Sequence, residues 1–362
     1  MKKLFRLLPF LFLSAALFSS CSDDDDNELY PSELTKGAYV LNYGGYEQNT
    51  SSITKYNYEE DELTAFYYQQ QNGGERIGSA PQYIYEYEDR LYLMNNNPDR
   101  VVVTDPLFVA QDTITTEIVK PRFCVASGNY LYISCWGGDI WTDSSMSYLV
   151  KYNVVTKTVE KKISLAGGPE GLAIANGKLY AALGYAKKIA VMNLATEAIS
   201  YITTDAVSSY FVKDKSDNLY VSLVSSWSDP STETGLGYIN TKTDAMTLYQ
   251  LDNVSTSYAS IMSFSKDYTK LYVVAAGYDA NWNLVGGVQV FNTTSKTYEA
   301  EPLVTGVTGL NGVSVNPVDG KTYVFVDKGS TVNGDMMIYT TEGELEATKT
   351  VGSSPAMAIF LD

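Results

Sequence analysis

A short strand motif, Leu-Tyr followed by aliphatic residues, recurs along the chain and limits the possible folds more than any other feature. Clear copies begin at Leu91, Leu131, Leu179, Leu219 and Leu271, and degenerate copies begin at Ala38 and Thr322. The shared tyrosines are separated by 53, 40, 48, 40, 52 and 51 residues. A period of about 40–50 residues with four strands per repeat is typical of propeller blades.

Each repeat has the same internal order of strands and turns. The copy around Leu179 shows it best, with the strands PEGLAIA, LYAALG, IAVMNL and ISYITT separated by NGK, YAKK and ATEA. Turn-forming residues occupy the first turn of other copies, at Asp89-Arg90, Gly128-Asn129, Asp217-Asn218 and Asp319-Gly320. Thirty tyrosines and the lack of helical periodicity agree with an all-β chain.

The two ends of the chain complete one further blade. The C-terminal SSPAMAIFLD has the pattern of a first strand with no successors, and the N-terminal GAYVLNYGG, SSITKYNY and ELTAFYYQ resemble later strands with no first strand. Sharing one blade would close the ring and remove exposed sheet edges. The sequence therefore predicts an all-β, seven-bladed β-propeller with four-stranded antiparallel blades. A misassigned diverged copy would change the number to six or eight.

The N-terminus has the features of a lipoprotein leader. Lys2, Lys3 and Arg6 precede an apolar stretch of 12 residues, which is shorter than the roughly 20 residues that a membrane span requires. The residues before Cys21 resemble a lipobox with Phe18 in place of the usual leucine, and ordinary cleavage with a free thiol is the alternative. We expect a signal peptide at 1–20, a lipidated acidic tether at 21–35 and the propeller at 36–362.

The residues that follow Cys21 bear on where the protein is located. The run CSDDDD resembles the export signal of surface lipoproteins in Bacteroides-like bacteria. This resemblance implies a lipid-anchored protein of the outer membrane that faces the cell exterior. Two or three acyl chains, each contributing about 0.8 kcal/mol per buried methylene, would hold the domain there.

Charge and composition exclude several classes of function. The net charge is −16 for the whole chain and near −19 without the leader, which disfavours nucleic acid as a partner and favours a cationic or metal-bearing ligand. The chain contains no histidine, so serine-hydrolase triads and imidazole-ligated metal sites are excluded. Acidic residues fall mainly in turns. We predict no catalysis, no cofactor and no protein-bound metal. Calcium binding around 95–99 remains a minor alternative.

Two cysteines remain besides Cys21. If Gly128-Asn129 is a two-residue hairpin turn, Cys124 and Cys135 lie on one face of the sheet but diagonally to each other. This register favours two free buried thiols slightly over a disulfide.

The large aromatic residues occur in a particular kind of loop. In a propeller, the loops between second and third strands share one face with the blade-to-blade connections. All four tryptophans and several tyrosines lie in or beside these loops, namely Trp136, Trp141, Trp227, Trp282, Tyr43, Tyr46, Tyr185 and Tyr278. Their concentration predicts a binding face, whereas the alternative is that the rings only pack the long loops down.

A second set of candidates surrounds the predicted channel mouth. These are the entry residues of the first strands, a mixture of rings and hydrogen-bonding groups: Gln82, Arg122, Phe123, Glu170, Tyr210, Phe211, Tyr258 and Asn311. Such a set suits a large, flat, partly polar molecule. The alternative is that they line the channel for structural reasons alone.

The tandem segments PEGLAIANGKLYAAL and GLNGVSVNPVDGKTYVFV resemble the YncE-like propeller family, and the resemblance extends from about Lys36 to the end. Together with the leader and the aromatic face, the chain is similar to the surface cobalamin-binding propeller lipoproteins of Bacteroidota. This resemblance implies capture of a corrinoid and its transfer to a TonB-dependent outer-membrane transporter. A glycan-binding lipoprotein and a protein-interaction scaffold are the alternative functions.

Overall fold

The computed structural model describes residues 35–225, 233–252, 254, 261–281 and 284–361, and these form seven antiparallel sheets arranged as a ring. The first strands of the blades are β4 (Ser79–Tyr87), β8 (Pro121–Ser127), β12 (Pro169–Ala175), β16 (Val207–Lys213), β20 (Met262–Phe264), β25 (Leu310–Val315) and β29 (Pro355–Leu361). The second strands are β1 (Gly37–Asn42), β5 (Arg90–Asn97), β9 (Tyr130–Cys135), β13 (Lys178–Leu183), β17 (Leu219–Val224), β21 (Lys270–Tyr278) and β26 (Thr322–Val326). The predicted seven-bladed propeller is confirmed.

The outer half of each blade consists of the third and fourth strands. The third strands are β2 (Ser52–Asn57), β6 (Asp99–Thr104), β10 (Tyr148–Asn153), β14 (Lys188–Asn193), β18 (Gly235–Asn240), β22 (Leu284–Asn292) and β27 (Asn333–Tyr339). The fourth strands are β3 (Glu62–Thr64), β7 (Ala110–Ile114), β11 (Thr158–Ser164), β15 (Ile199–Thr203), β19 (Ala245–Gln250), β23 (Thr297–Tyr298) and β28 (Leu345–Ser353). The blades are numbered in the order of their second strands, so the first blade contains β29, β1, β2 and β3 and the seventh contains β25 to β28. In the sixth blade an additional strand, β24 (Val304–Thr308), also pairs with β22.

Two short helical segments lie between strands of the ring. They are α1 (Tyr67–Gln71), which follows the first blade, and a 3-10 turn (Ser144–Met146) in the β9–β10 loop. Neither is long and apolar enough to cross a bilayer.

Burial explains why the Leu-Tyr motif marks the second strands. Each sheet is packed between two neighbouring sheets, so both faces of a second strand are covered, and every residue of β17 is buried. The fourth strands lie at the circumference and are largely exposed, as β15 shows. Long apolar runs therefore occur near the channel, and polar residues become frequent towards the outside.

The ring is closed by strands from both ends of the chain, as predicted. Strand β29 pairs with β1 in antiparallel register, with Val40 opposite Ala358 and Gly37 opposite Leu361. On its other side, β29 contacts β25 of the seventh blade. The closing blade thus consists of one C-terminal strand and three N-terminal strands.

The first strands share an irregularity near their start. In six blades, the pairing of the first strand with the second shifts register there, leaving one or two residues without a partner directly opposite. The skipped residues are Gln82, Arg122, Phe123, Glu170, Gly171, Ser209, Tyr210, Asn311 and Ala356. Most of the predicted channel-mouth residues therefore lie in β-bulges, which reorient side chains relative to the regular alternation of a strand.

The two cysteines have the register expected from the sequence. Cys124 lies opposite Ile133 and Cys135 lies opposite Pro121, so the cysteines are offset along the hairpin. Both are buried and free, which agrees with the favoured alternative. Burial raises the pKa of Cys135 to about 12 and the pKa of Cys124 well above its usual range.

We expect these thiols to be unreactive in the folded protein, since they are buried and stay protonated at pH 8. In a Cys21→Ser chain, a thiol-reactive chromophore should label neither Cys124 nor Cys135 under native conditions and should label both after unfolding in guanidinium. Cys124→Ala should lower the number of thiols released by one. Failure to release thiols without a reductant would instead indicate a disulfide.

Candidate functional site

The structure places the described loop aromatics on one face of the ring. Trp136 and Trp141 belong to the β9–β10 loop, Tyr185 to the β13–β14 loop and Tyr43 to the β1–β2 loop, while Tyr278 ends β21. All are second-to-third-strand connections, as predicted. The remaining candidates Trp227, Trp282 and Tyr258, and the lipidation candidate Cys21, lie outside the described residues.

Trp136 contacts two other rings, Trp141 in its own loop and Tyr185 across the boundary between the third and fourth blades. The centroid of Trp136 lies 6.3 Å from that of Trp141 and 6.0 Å from that of Tyr185, both in edge-to-face geometry. Trp136 is 6% exposed, whereas Trp141 is 63% exposed. Trp136 is therefore a buried support, and Trp141 presents an open ring face. We call Trp136, Trp141 and Tyr185 the aromatic cluster.

The loop that carries both tryptophans is fixed to the preceding blade connection. The backbone N–H groups of Trp136 and Gly137 donate to the carbonyls of Lys120 and Val119, each at 3.1 Å. Gly137 has φ +79°, and a Cβ there would come 2.5 Å from the carbonyl oxygen of Met146, so glycine is required. These contacts give the loop a defined shape before any ligand arrives.

A positive charge lies beside the exposed indole. Lys120 Nζ is 4.9 Å from the centroid of Trp141 and 2.8 Å from Oδ1 of Asp139. Further along the loop, the side chain of Asp143 accepts a bond from the Ser145 N–H at 2.9 Å, and hydrogen bonds to Ser145 lower the pKa of this carboxyl. Polar groups thus surround the indole without covering it.

A cleft of about 280 Å³ opens next to the aromatic cluster. It is lined by residues from both loops and from the start of β16: Ile140, Trp141, Thr142, Ser144, Tyr185, Ala186, Lys187 and Val207. Gly168 has φ +66°, and a Cβ there would lie 2.7 Å from the ring of Tyr185. Glycine at this position therefore allows the Tyr185 ring to form the cleft wall.

Beneath the aromatic cluster, Arg122 and Glu170 form an ion pair between the third and fourth blades. Arg122 Nε donates to Glu170 Oε2 at 2.9 Å, and the guanidinium carbon lies 4.1 Å from the Trp136 centroid. The two residues are 1% and 8% exposed. Burial raises the pKa of the Glu170 carboxyl, while the charge and hydrogen bond of Arg122, and then the Trp136 indole, act in the opposite direction.

The other channel candidates also pack against one another. The ring of Phe123 lies 4.8 Å from Tyr83 and 5.8 Å from Tyr210, centroid to centroid, which joins the second, third and fifth blades across the channel. Asn311 Nδ2 donates to the carbonyl of Pro355 at 2.8 Å. The channel is thus occupied by side chains at this level, which fits the structural alternative for these residues.

Two of the candidates have other environments. Gln82 is buried, and its Nε2 donates to the Ala80 carbonyl at 2.8 Å, while its Oε1 meets no donor among the described residues. Phe211 pairs with Val221 and packs in the core between the fourth and fifth blades. Phe211 is therefore a core residue of the sheet.

Part of the cleft was not predicted from the sequence. Ile140 lines it, Gly168 lies against the Tyr185 ring and Lys120 lies beside the Trp141 ring, yet none of them belongs to the predicted aromatic or entry sets. Lys120 could have been predicted, because it stands in the same blade connection as Arg122, two positions before it.

The groups at and beneath the cleft determine which chemistry it can support. Among residues 35–361 that are described, no group of three or more Cys, Asp or Glu side chains is placed to hold a metal. The buried carboxylate beneath the aromatic cluster is engaged by Arg122. What the site offers is an open aromatic ring, a neighbouring ammonium and preformed loops.

A comparison with known protein families identifies the family of this chain. The model of the family described as "Domain of unknown function (DUF5074)" matches residues 36–361, and the chain belongs to that family. No protein with a curated description matches it.

Solved structures with the same architecture include proteins of diverse function. A quinonprotein alcohol dehydrogenase-like protein from Bacteroides thetaiotaomicron is 14% identical, with a TM-score of 0.68, over 90% of this chain and 78% of that one. A protein from Lactobacillus plantarum is 14% identical, with a TM-score of 0.63, over 90% and 100%. Hydrazine synthase from Kuenenia stuttgartiensis is 14% identical, with a TM-score of 0.61, over 76% and 88%. At such identities the likeness shows the fold alone, and this fold includes enzymes.

Proposed function

We propose that this member of the DUF5074 family is a surface lipoprotein that binds a large, flat, partly polar molecule on its aromatic loop face. A corrinoid is the first candidate ligand, and a TonB-dependent outer-membrane transporter is the proposed recipient. The leader up to Cys21 and the acidic run Asp23–Asp26 support attachment at the outer surface.

The exposed ring of Trp141 is the observation that carries the binding proposal. Its indole is held by Trp136, accompanied by Lys120 and flanked by a cleft, in loops whose backbones are already fixed. An indole left open to water in this way can gain about 25 cal/mol for each Å² that a ligand covers. Because the loops are preformed, little of this gain is lost in ordering them.

The size of the cleft bears on the kind of ligand. A volume of about 280 Å³ is just below the roughly 300–1,000 Å³ that small-molecule sites span. A flat ligand larger than this would place one edge in the cleft and extend over the ring of Trp141 towards the channel mouth. Tyr43, Tyr46 and Tyr278 lie on the same face in other blades and would contact the far side of such a ligand.

The chemistry of the site favours binding over catalysis. The chain has no histidine to act as general base or axial ligand, and Glu170 is held by Arg122. A corrinoid brings its own axial ligands, so its capture requires shape and stacking only.

The proposal predicts that a Trp141→Ala, Tyr185→Ala double variant binds cyanocobalamin about ten- to a hundredfold more weakly than the unaltered chain. The loss follows from removal of two ring faces from the cleft. Isothermal titration gives the affinities, and retention of the pink colour through desalting gives a second readout.

Tyr201→Ala is the matched control, because Tyr201 is a half-exposed tyrosine on the outer strand β15 of the fourth blade. This variant should bind as the unaltered chain does. Equal affinity of the double variant and the control would exclude the cleft as the binding site. Absence of any binding by the unaltered chain would exclude the corrinoid.

A further inference from the structure

A second cavity lies at the opposite end of the channel from the aromatic cluster. It measures about 370 Å³ and is bordered by the first strands β16, β20, β25 and β29 and by the first turns of the sixth and seventh blades. First turns and second-to-third-strand loops lie at opposite ends of an antiparallel sheet, so the two cavities open on opposite faces. We call this second space the lower cavity.

The lower cavity is separated from the aromatic cluster by packed side chains. Tyr210 forms part of its lining and contacts Phe123, which in turn contacts Tyr83. The Arg122–Glu170 pair lies beside Phe123 in the same bulge region. A ligand in the lower cavity would therefore be bound independently of one on the loop face.

The walls of the lower cavity combine apolar and flat side chains with the hydroxyls of Ser263, Ser265 and Ser314. Met262 and Met357 contribute buried thioether side chains, and Phe360 contributes a ring. Phe264 and Tyr268 are stacked at the rim, with their centroids 4.8 Å apart and an angle of 23° between the ring planes. Flexible methionines and a flat aromatic wall are suited to a planar apolar body.

A lysine that forms no ion pair with any described carboxylate stands at the entrance. Lys266 lines the cavity and donates to the Val318 carbonyl, but it forms no ion pair among the described residues. Lysines in neighbouring positions are paired, as Lys213 is with Asp217 at 3.1 Å and Lys321 is with Glu346 at 2.7 Å.

A further ammonium lies near the same rim. Lys215 Nζ lies 4.6 Å from the Tyr268 centroid. The nearby carboxylates Asp214 and Asp267 accept hydrogen bonds from backbone N–H groups of their own turns. The entrance of the lower cavity thus presents the ammonium groups of Lys266 and Lys215 together with the carboxylates of Asp214 and Asp267.

From these features we propose that the lower cavity is a second binding site, which takes a planar aromatic carboxylate. The ring system would lie between Met357, Phe360 and the Phe264–Tyr268 wall, and its carboxylate would meet Lys266 at the rim. This site is distinct from the loop face and does not depend on what the loop face binds.

The test uses 2-naphthoate and its uncharged isostere 2-naphthamide, titrated into the full-length protein and followed by calorimetry. We expect 2-naphthoate to bind with a dissociation constant on the order of 0.1–1 mM, the range expected for a ligand of this size. Lys266→Gln should weaken naphthoate binding about five- to tenfold and leave naphthamide binding unchanged. Phe360→Ala should weaken the binding of both probes.

Two control variants establish that naphthoate binds in the lower cavity and not elsewhere on the protein. Lys242→Gln alters an exposed lysine in an outer turn of the fifth blade and should leave naphthoate binding unchanged. The Trp141→Ala, Tyr185→Ala variant should also bind naphthoate normally, whatever it does to cyanocobalamin. Equal affinity for the two probes, no effect of Lys266→Gln, or no binding at about 5 mM probe would overturn the proposal. Lys266 is exposed, so its variant tests the proposal even if Phe360→Ala does not fold.

Discussion

Replacing Arg122 with methionine is expected to lower the free energy of unfolding by about 3–5 kcal/mol at pH 7. The substitution leaves the Glu170 carboxylate in a site that is 8% exposed, without its 2.9 Å ion-pair partner. It also removes the guanidinium that lies against the Trp136 ring. Chemical denaturation followed by tyrosine and tryptophan fluorescence measures this loss.

The loss should depend on pH in a defined direction. Burial raises the pKa of Glu170 in the folded protein, and Arg122 is the main group that opposes this rise. Removing Arg122 therefore raises the folded-state pKa of Glu170 further, while its unfolded-state pKa stays near 4.5. When folding raises the pKa of a group, the resulting stabilisation is fully present at a pH below the unfolded-state pKa. It is lost as the pH rises through the folded-state pKa. At pH 4 the Arg122→Met variant should therefore be destabilised by only about 1–3 kcal/mol, the cost of a neutral buried group without its partner.

The double variant Arg122→Met, Glu170→Met is the control. Apolar replacement of both members of a buried ion pair is often neutral or stabilising. We expect it to regain most of the stability lost at pH 7 and to remove the extra dependence on pH. If the single variant is as stable as the unaltered chain, or if its destabilisation grows towards pH 4, Arg122 does not stabilise the fold by pairing with the Glu170 carboxylate.

Deleting residues 355–362 is expected to abolish the cooperative unfolding transition. The deletion removes β29, whose backbone pairs with β1 and whose residues are mostly buried. It also removes two hydrogen bonds between β29 and the seventh blade. Asn311 Nδ2 donates to the Pro355 carbonyl at 2.8 Å, and the Ala358 N–H donates to Ser314 Oγ at 3.1 Å. Because whole domains are stable by only about 5–15 kcal/mol, we expect loss of an inner strand to exceed that reserve.

The exposed edge of β1 should then cause association of the truncated chain, which light scattering would detect. A circular permutant supplies the control, with residues 355–361 placed before Gly37 through a short turn. Leu361 lies opposite Gly37, so this link would resemble the first turn of the other blades. We expect the permutant to unfold cooperatively. A truncated chain that unfolds as sharply as the permutant would show that ring closure is dispensable.

Much of the fold could be predicted because propeller repeats are encoded locally. The tyrosines of the Leu-Tyr strands recur every 40–53 residues, and each marks a second strand covered on both faces. Turn residues such as Asp217 and Asp319 fix the hairpins between first and second strands. Even the diagonal offset of Cys124 and Cys135 followed from a two-residue turn at 128–129.

The candidate site was predictable only in part. Position in a second-to-third-strand loop was enough to place Trp136, Trp141 and Tyr185 on one face. It was not enough to distinguish Trp136, which is buried, from Trp141, which is open. Their exposure depends on how the β9–β10 loop folds over Arg122, through contacts between residues that are distant in sequence.

The sequence alone thus predicted seven blades, with six or eight as alternatives, together with the strand order and the sharing of the closing blade, since these depend on short-range periodicity and turn chemistry. Only the tertiary structure decided that Arg122 pairs with Glu170, that Phe123 reaches Tyr210 across the channel and that a lower cavity exists. Bulges at the start of the first strands reorient these side chains, and bulges depend on pairing between strands. The spacing of residues along the sequence gives no distances between blades on opposite sides of the ring. Contacts across the channel therefore follow only from the closed tertiary structure.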